Sequence, residues 1–400
     1  MADRRVDHLL IGGGIAAATC AEALREAGAT GSVLLVGREL DPPYHRPPIT
    51  KGHLAGQETS DDTLIALPPD VEVLTRTSVL ELDPAARTAQ LSSKETVEYG
   101  TALLATGAMV RRLPVDGAQL DGIHFLRTLR NSDALRRDAQ DAERVVCVGG
   151  SYIGCEVAAT MTALGKRCTV VLLEEEPMER AFGLQVGAYV RRVLEDHGVE
   201  VIAGAEVERF EAEGDGDRVA RVMLAGGRSL PADVAVCGVG VLPDVMLARK
   251  AGLEIGPLGG VRCDAGLAVR GAEGIYAAGD MCEHDSVVHR RVMRIEHEEV
   301  AVAQGRTAGR NMAGVGVVHE EVPYFWTDLA DWATLEYVGP AEAWDDEVVD
   351  GDLASGAFAV WYLRDGRVAA MVSAAGHGDL DRAKTLIASG EPVEPRVLTS

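Results

Sequence analysis

Two segments of the chain carry one pattern, and that pattern restricts the fold more than any other feature. Residues 6–29 read VDHLLIGGGIAAATCAEALREAGA, and residues 144–165 read RVVCVGGSYIGCEVAATMTALG. Each is an apolar strand, a glycine turn and a helix with small residues on its packing side. Each is followed by a second apolar strand ending in acid, SVLLVGRE to Glu39 and CTVVLLEE to Glu175. Strand, glycine turn and helix in this order open a βαβ unit, whose helix N-terminus receives a pyrophosphate on its amides. Two such units predict an α/β chain with two Rossmann-like dinucleotide-binding domains.

In the first turn Gly12 permits the tight bend, Gly14 lets the backbone approach a pyrophosphate, and Ile15 and Ala16 open the helix. Glu39, at the end of the second strand, is placed to accept both hydroxyls of an adenosine ribose. In the second turn Ser151 stands in the middle glycine's place between Gly149 and Gly154. Its Cβ and hydroxyl add bulk where the pyrophosphate passes. Glu174, in the run Glu174-Glu175-Glu176, is the matching ribose acid and would repel a 2′-phosphate, which favours NADH. Arg180 nearby is the residue able to accommodate that phosphate instead.

A chain of 400 residues exceeds what one core usually serves, so two or three domains are expected. Beyond about Glu320 aromatic residues cluster, Trp326 among them, and FAVWYLRDGRVAAMV predicts a hairpin about Asp365-Gly366. The expected division is an FAD-type domain from residues 1–113 and 243–320, a second dinucleotide domain at 114–242, and a small C-terminal α+β domain at 321–400. Further strands are expected near Ala102–Ala105, Arg218–Leu224, Val234–Val236 and Ile275–Ala277. EAEGDGDR at Glu211–Arg218 reads as a hairpin tip, and the tail after about Gly390 as loosely held.

The seven cysteines form no C-x-x-C pair and no cluster at metal spacing, so buried free thiols and no metal are expected. A net charge of −23 argues against nucleic acid. The apolar run Ala232–Val241 is interrupted by Asp233 and Gly238, far short of a membrane span. The charged N-terminus leads straight into a strand and does not read as a signal peptide, so a cytoplasmic site is expected; the chain is expected as a monomer or homodimer.

The order of these signals adds to each of them. GGGIAA, PYHRPPITKGHL, LLATGA, GGSYIGCEVAA, GVGVLPD, IYAAGD, RIEHEEVAVAQG and PYFWTD follow one another along nearly the whole chain. In these stretches the chain resembles the FAD-dependent ferredoxin reductases of bacterial oxygenase systems, within the pyridine nucleotide-disulfide oxidoreductase superfamily.

The resemblance implies that Arg46 and Lys51 lie by the flavin and that Val79 packs near the adenine. It further implies that Ala105, Thr106 and Gly107 line the FAD, and that Arg127 reaches its phosphates. Gly279 and Asp280 hold the ribityl chain, with Glu296, His297 and Glu298 also at the flavin. Glu156 is implied as the carboxylate of Lys51, and a buried ammonium does need one to offset its desolvation. Gly149, Gly150, Ser151, Tyr152, Ile153, Gly154, Glu174, Gly238 and Gly240 are the implied NAD residues.

Two departures from relatives bear on the chemistry. No cysteine lies in Asp41–Leu54, so a protein thiol is not the electron carrier; Cys20 and Cys155 read as packing residues. Glu298 stands where relatives carry Trp or a small apolar residue, and it either faces the isoalloxazine or points to solvent.

The implied activity passes hydride from NADH to FAD, then electrons to a ferredoxin-type [2Fe-2S] protein that feeds a cytochrome P450 or another oxygenase. Local positive charge supports such a partner. His289, Arg290, Arg291 and Arg294 precede the helix that carries Arg306 and Arg310, and docking is expected near Arg306 and Trp326. The alternatives are an NADH oxidase or quinone-type reductase, and a redox-sensing flavoprotein like apoptosis-inducing factor.

Overall fold

A computed structural model describes residues 2–399. The chain forms two compact units. The first takes in the residues up to His45, Thr63–Met109 and Leu242–Pro323; the second takes in Arg46–Asp62, Val110–Val241 and the chain from Tyr324 onward.

The first unit is built on a seven-stranded sheet. Its order is Val71–Leu74, Val33–Val36, Arg4–Ile11, Thr96–Leu104, Thr88–Leu91, Val79–Asp83, and Ile275–Ala277 pairs with the end of Thr96–Leu104. Val33–Val36, Arg4–Ile11, Thr96–Leu104 and Ile275–Ala277 pair in parallel. All four residues of Val33–Val36 are buried, as a parallel strand covered on both faces requires. The helix Ile15–Glu26 lies against the helix Glu298–Met312 through small residues. A Cβ on Gly305 would come 2.4 Å from the Ala16 carbonyl oxygen, and one on Gly309 2.5 Å from that of Cys20. Glycine is therefore fixed at both places by backbone-to-backbone contact.

The second unit holds a five-stranded parallel sheet in the order Glu200–Ile202, Arg167–Val171, Arg144–Val148, Val234–Cys237, Ile123–His124. A three-stranded antiparallel sheet follows from Val207–Ala212, Val219–Leu224 and Ser229–Pro231, and the acidic segment Glu213–Arg218 joins its first two strands. The C-terminal residues form a five-stranded antiparallel sheet in the order Tyr324–Leu329, Ala333–Val338, Arg367–Ala374, Ala357–Arg364, Asp346–Asp352. The helix Leu380–Ser389 covers it with Ala383 and Ile387. The hairpin turns at Asp365 and Gly366, with φ of +51° and +69°, both in the left-handed region that a two-residue hairpin loop demands.

The tail corrects one expectation. It is anchored: Val393 N–H donates to the Gly366 carbonyl at 2.8 Å, Arg382 donates to the Val397 carbonyl, and Leu398 is buried. Hydrogen bonds of the tail's backbone and one buried apolar residue supply the anchor, which the polar composition around them conceals.

All seven cysteines are buried and free. Burial pushes up the thiols of Cys20, Cys147, Cys155, Cys168 and Cys237, Cys168 to about 11 and Cys237 to about 12, so these five stay neutral and inert at ordinary pH. Among the described residues no group of three or more His, Cys, Asp or Glu is placed to hold a metal, and no helix is long and apolar enough to cross a membrane.

Candidate dinucleotide sites

In the first unit the strand Arg4–Ile11 ends at Gly12, whose φ is +133° and whose added Cβ would lie 2.0 Å from the Ala105 carbonyl oxygen. Backbone conformation and close strand approach both require glycine there. Gly14 is different. Its φ is −104°, which any residue adopts, and a Cβ built on it meets no protein atom within 4 Å. Neither strain nor protein packing accounts for this glycine, whereas a bound group drawn up to the backbone does. The helix that follows has no side-chain cap, so its N-terminal end is open to an anion.

Glu39 sits past the second strand, and its Oε2 accepts a hydrogen bond from the buried Tyr44 hydroxyl at 2.6 Å. Tyr44 thereby fixes the carboxylate. Next to Glu39 on the same loop, Arg38 Nη1 lies 2.6 Å from Oδ2 of the buried Asp244. The Thr106 hydroxyl donates to the Asp244 carbonyl at 2.6 Å, and the Asp244 N–H donates to the Gly107 carbonyl at 2.8 Å. Asp244, from GVGVLPD, thus joins the loop of Glu39 to the ATG turn.

Gly107 and Gly279 have φ of +67° and +79°, left-handed values that suit glycine. The Gly279 N–H donates to Oε1 of the buried Gln304 at 2.8 Å, which sets the chain just before the buried Asp280. Glu298 opens the helix Glu298–Met312, and its Oε1 lies 2.8 Å from Nδ1 of His45. Its side chain is 13% exposed, so the carboxylate is paired and largely covered. Burial pulls the His297 imidazole down to about 4 against the opposing pull of Asp280. Val79 begins an edge strand and packs on this unit's core.

The second unit repeats the turn. Gly149 has φ +107°, and its Cβ would lie 2.3 Å from the Gly238 carbonyl oxygen; a Cβ on Gly154 would lie 1.9 Å from that of Gly149. Gly150 abuts the Leu172 side chain, and Gly240 has φ +92°. Ser151 is exposed, with φ −90° and ψ −170°, and its hydroxyl does not cap the helix Tyr152–Ala163. The Tyr152 ring packs edge-on to Phe325 and Phe182, with centroids at 5.0 and 6.0 Å. Beyond the next strand, Glu174 Oε1 lies 2.5 Å from Nε of Arg180.

Lys51 and Glu156 are also in this unit, with Nζ 2.5 Å from Oε1. Glu156 is buried. It accepts further hydrogen bonds from the Thr50 hydroxyl at 2.6 Å and the Thr327 hydroxyl at 2.7 Å. Three donors on one carboxylate offset a desolvation cost of several kcal/mol. Arg46 Nη1 donates to the Arg127 carbonyl at 2.6 Å.

The geometry of both turns fits a dinucleotide. Residues 6–305 match the pyridine nucleotide-disulphide oxidoreductase family, and residues 324–400 match the reductase C-terminal family. The chain is similar to a probable ferredoxin reductase of Castellaniella defragrans, 34% identical with 97% of each chain covered.

This chain belongs to the ferredoxin reductases of the pyridine nucleotide-disulphide oxidoreductase family.

The reductase is also similar to putidaredoxin reductase of Pseudomonas putida, 31% identical over 98% of this chain and 93% of the relative. A solved structure, the covalent putidaredoxin reductase–putidaredoxin complex, matches it with a TM-score of 0.92 and 30% identity, over 100% of this chain and 96% of that one.

Several residues of the reductase's sites carry no local signal. His45, Asp244, Gln304, Thr327 and Asp328 act on partners far away in sequence, so no spacing rule finds them. His289 and Arg294 of the expected positive collar are not free charges. Burial pulls His289 down to about 4, so it is neutral at pH 7, and Arg294 pairs with Glu296 at 2.5 Å. Trp326 is half-buried, donating from Nε1 to Asp328 Oδ2 at 3.1 Å.

Proposed function

We propose that this reductase takes hydride from NADH with FAD as its resident cofactor and delivers electrons to a ferredoxin-type [2Fe-2S] protein serving an oxygenase, in the cytoplasm. The observation that carries the reading is the presence of two glycine turns, each opening on a helix without a side-chain cap and each followed by a ribose-type acid, Glu39 and Glu174. Two dinucleotides held by one chain is what hydride transfer between them needs.

In this reading residues 1–113 and 243–320 hold FAD, 114–242 hold NADH, and 321–400 form the C-terminal domain. Gly12, Gly14, Ile15 and Ala16 seat the FAD pyrophosphate, and Glu39, oriented by Tyr44, takes the ribose. Thr106, Gly107, Gly279 and Asp280 line the rest of that cofactor. Lys51, held by Glu156, supplies a fixed cation for the flavin. Gly149 to Gly154 seat the NADH pyrophosphate, with Ser151 loosening a site that must release its product each turnover. FAD, when bound, supplies the conversion of a hydride pair into single electrons.

Relatives named as a ferredoxin reductase and a putidaredoxin reductase support a ferredoxin-type acceptor. Arg306 and Arg310 are exposed one turn apart on the helix Glu298–Met312 and form no ion pair among the described residues. With Arg290 they offer positive charge to an acidic partner.

The test is to reduce the holoprotein anaerobically with NADH and follow flavin reoxidation on mixing with a [2Fe-2S] ferredoxin, a quinone or O2. Reoxidation fastest with ferredoxin supports the proposal. Rapid reoxidation by O2 or quinone, with ferredoxin inert, overturns it.

A further inference from the structure

The strand Tyr324–Leu329 of the C-terminal sheet sends consecutive residues to the Lys51–Glu156 pair. Thr327, 1% exposed, donates its hydroxyl to Glu156 Oε1 at 2.7 Å, on the same oxygen that Lys51 Nζ contacts at 2.5 Å. Asp328 Oδ2 lies 3.5 Å from Lys51 Nζ. Asp328 is itself held from two sides, by Trp326 Nε1 at 3.1 Å and by the Thr334 hydroxyl at 2.7 Å. On the other side of the pair Thr50 donates to Glu156 Oε2 at 2.6 Å, and Thr160 donates to the Thr50 carbonyl at 2.8 Å. Adjacent strand residues point to opposite faces, yet both reach this one centre. The ammonium therefore has two carboxylates and a fixed position between them.

We propose that Thr327 and Asp328 are positioning residues for Lys51, Thr327 by fixing Glu156 and Asp328 by giving the ammonium a second carboxylate, so that the C-terminal domain sets where this cation sits. The inference rests on the reading that Lys51 serves the flavin. A lysine alone has a long flexible stem, whereas a lysine held at both ends of its charge is pre-organised. A pre-organised cation acts in hydride transfer without reorganising at the moment of reaction.

The experiment is a double-mutant cycle on the holoprotein, read by stopped-flow flavin reduction at saturating NADH and by the flavin midpoint potential. Thr327→Val removes a hydrogen bond to a charged group and is expected to slow flavin reduction about 10-fold. KM for NADH stays within about twofold. The midpoint potential moves in the same direction as in Lys51→Met, and Thr327→Ser restores both readouts. In a Lys51→Met background Thr327→Val adds nothing further, because its effect runs through Lys51.

Should Thr327→Val fail to fold, Asp328→Asn carries the same test: slower reduction that is non-additive with Lys51→Met. Wild-type rates and potential in both variants overturn the proposal, as does an equal slowing with and without Lys51. If Lys51→Met itself changes neither readout, the flavin role of Lys51 fails and the inference falls with it, a result that this single variant distinguishes.

Discussion

Gly14 and Ser151 hold the same backbone conformation at equivalent places in the two glycine turns, φ −104° and ψ −178° in one and φ −90° and ψ −170° in the other. The conformation admits a side chain at both positions, so what stands in front of the turn decides the residue. Gly14→Val is expected to fold and to purify without flavin, because a branched side chain fills the space a pyrophosphate needs. Ser151→Val is expected to keep its flavin and raise KM for NADH about 10-fold or more. Flavin stoichiometry and steady-state kinetics check both; a fully yellow Gly14→Val would remove the first turn from the FAD site.

Donor choice depends on Glu174 and Arg180. Their contact at 2.5 Å is between a largely covered carboxylate and a guanidinium that is 80% exposed, and an exposed pair of this kind contributes ~1 kcal/mol or less. The carboxylate is thus the fixed element and the arginine the movable one. NADH is expected to bleach the flavin faster than NADPH, and Glu174→Ala to narrow the difference by freeing Arg180. Equal or faster bleaching by NADPH in the wild type contradicts this.

How far the sequence carries is clear from particular residues. Gly12, Gly149 and Gly154 are legible because a local turn forces them, and the strand-turn-helix order they punctuate gives the fold. The Lys51–Glu156 pair is legible through resemblance alone. Thr327, Asp328 and Asp244 are not legible, because each is an ordinary polar residue whose partner is brought near only by the fold. His289 fails for a related reason: its charge depends on burial, which a sequence does not display.

Acid should destabilise the first unit through its histidines. His284 and His319 are buried with rings 5.2 Å apart, edge to face, between Gln304 and Thr307. Burial pulls them down from 6.5 to about 4 and about 3. The unfolded chain then takes up protons first as pH falls. Stability from these groups is complete above about pH 6.5 and declines toward about pH 4, by about 1.4 kcal/mol per pH unit for each histidine. Thermal unfolding at a series of pH values is expected to show Tm falling across this window, and less steeply in His284→Gln. An unchanged slope in the variant contradicts the assignment.

Ferredoxin docking should depend on salt. Exposed charges are screened over about 10 Å at 0.1 M ionic strength, so the rate of ferredoxin reduction should fall as salt rises, while flavin reduction by NADH stays unchanged. Arg306→Glu should lower the ferredoxin rate and flatten its salt dependence. A salt series that leaves wild type and variant alike would move the docking surface elsewhere.

The most direct test is the anaerobic coupling of NADH oxidation to reduction of a [2Fe-2S] ferredoxin, with both species followed by absorbance in one cuvette. A hydride carries an electron pair and the iron–sulfur cluster takes one electron, so the account predicts a pair of ferredoxins reduced for each NADH consumed, with no consumption beyond that which reduces the bound flavin when ferredoxin is withheld. NADH oxidation that proceeds without ferredoxin reduction would contradict it.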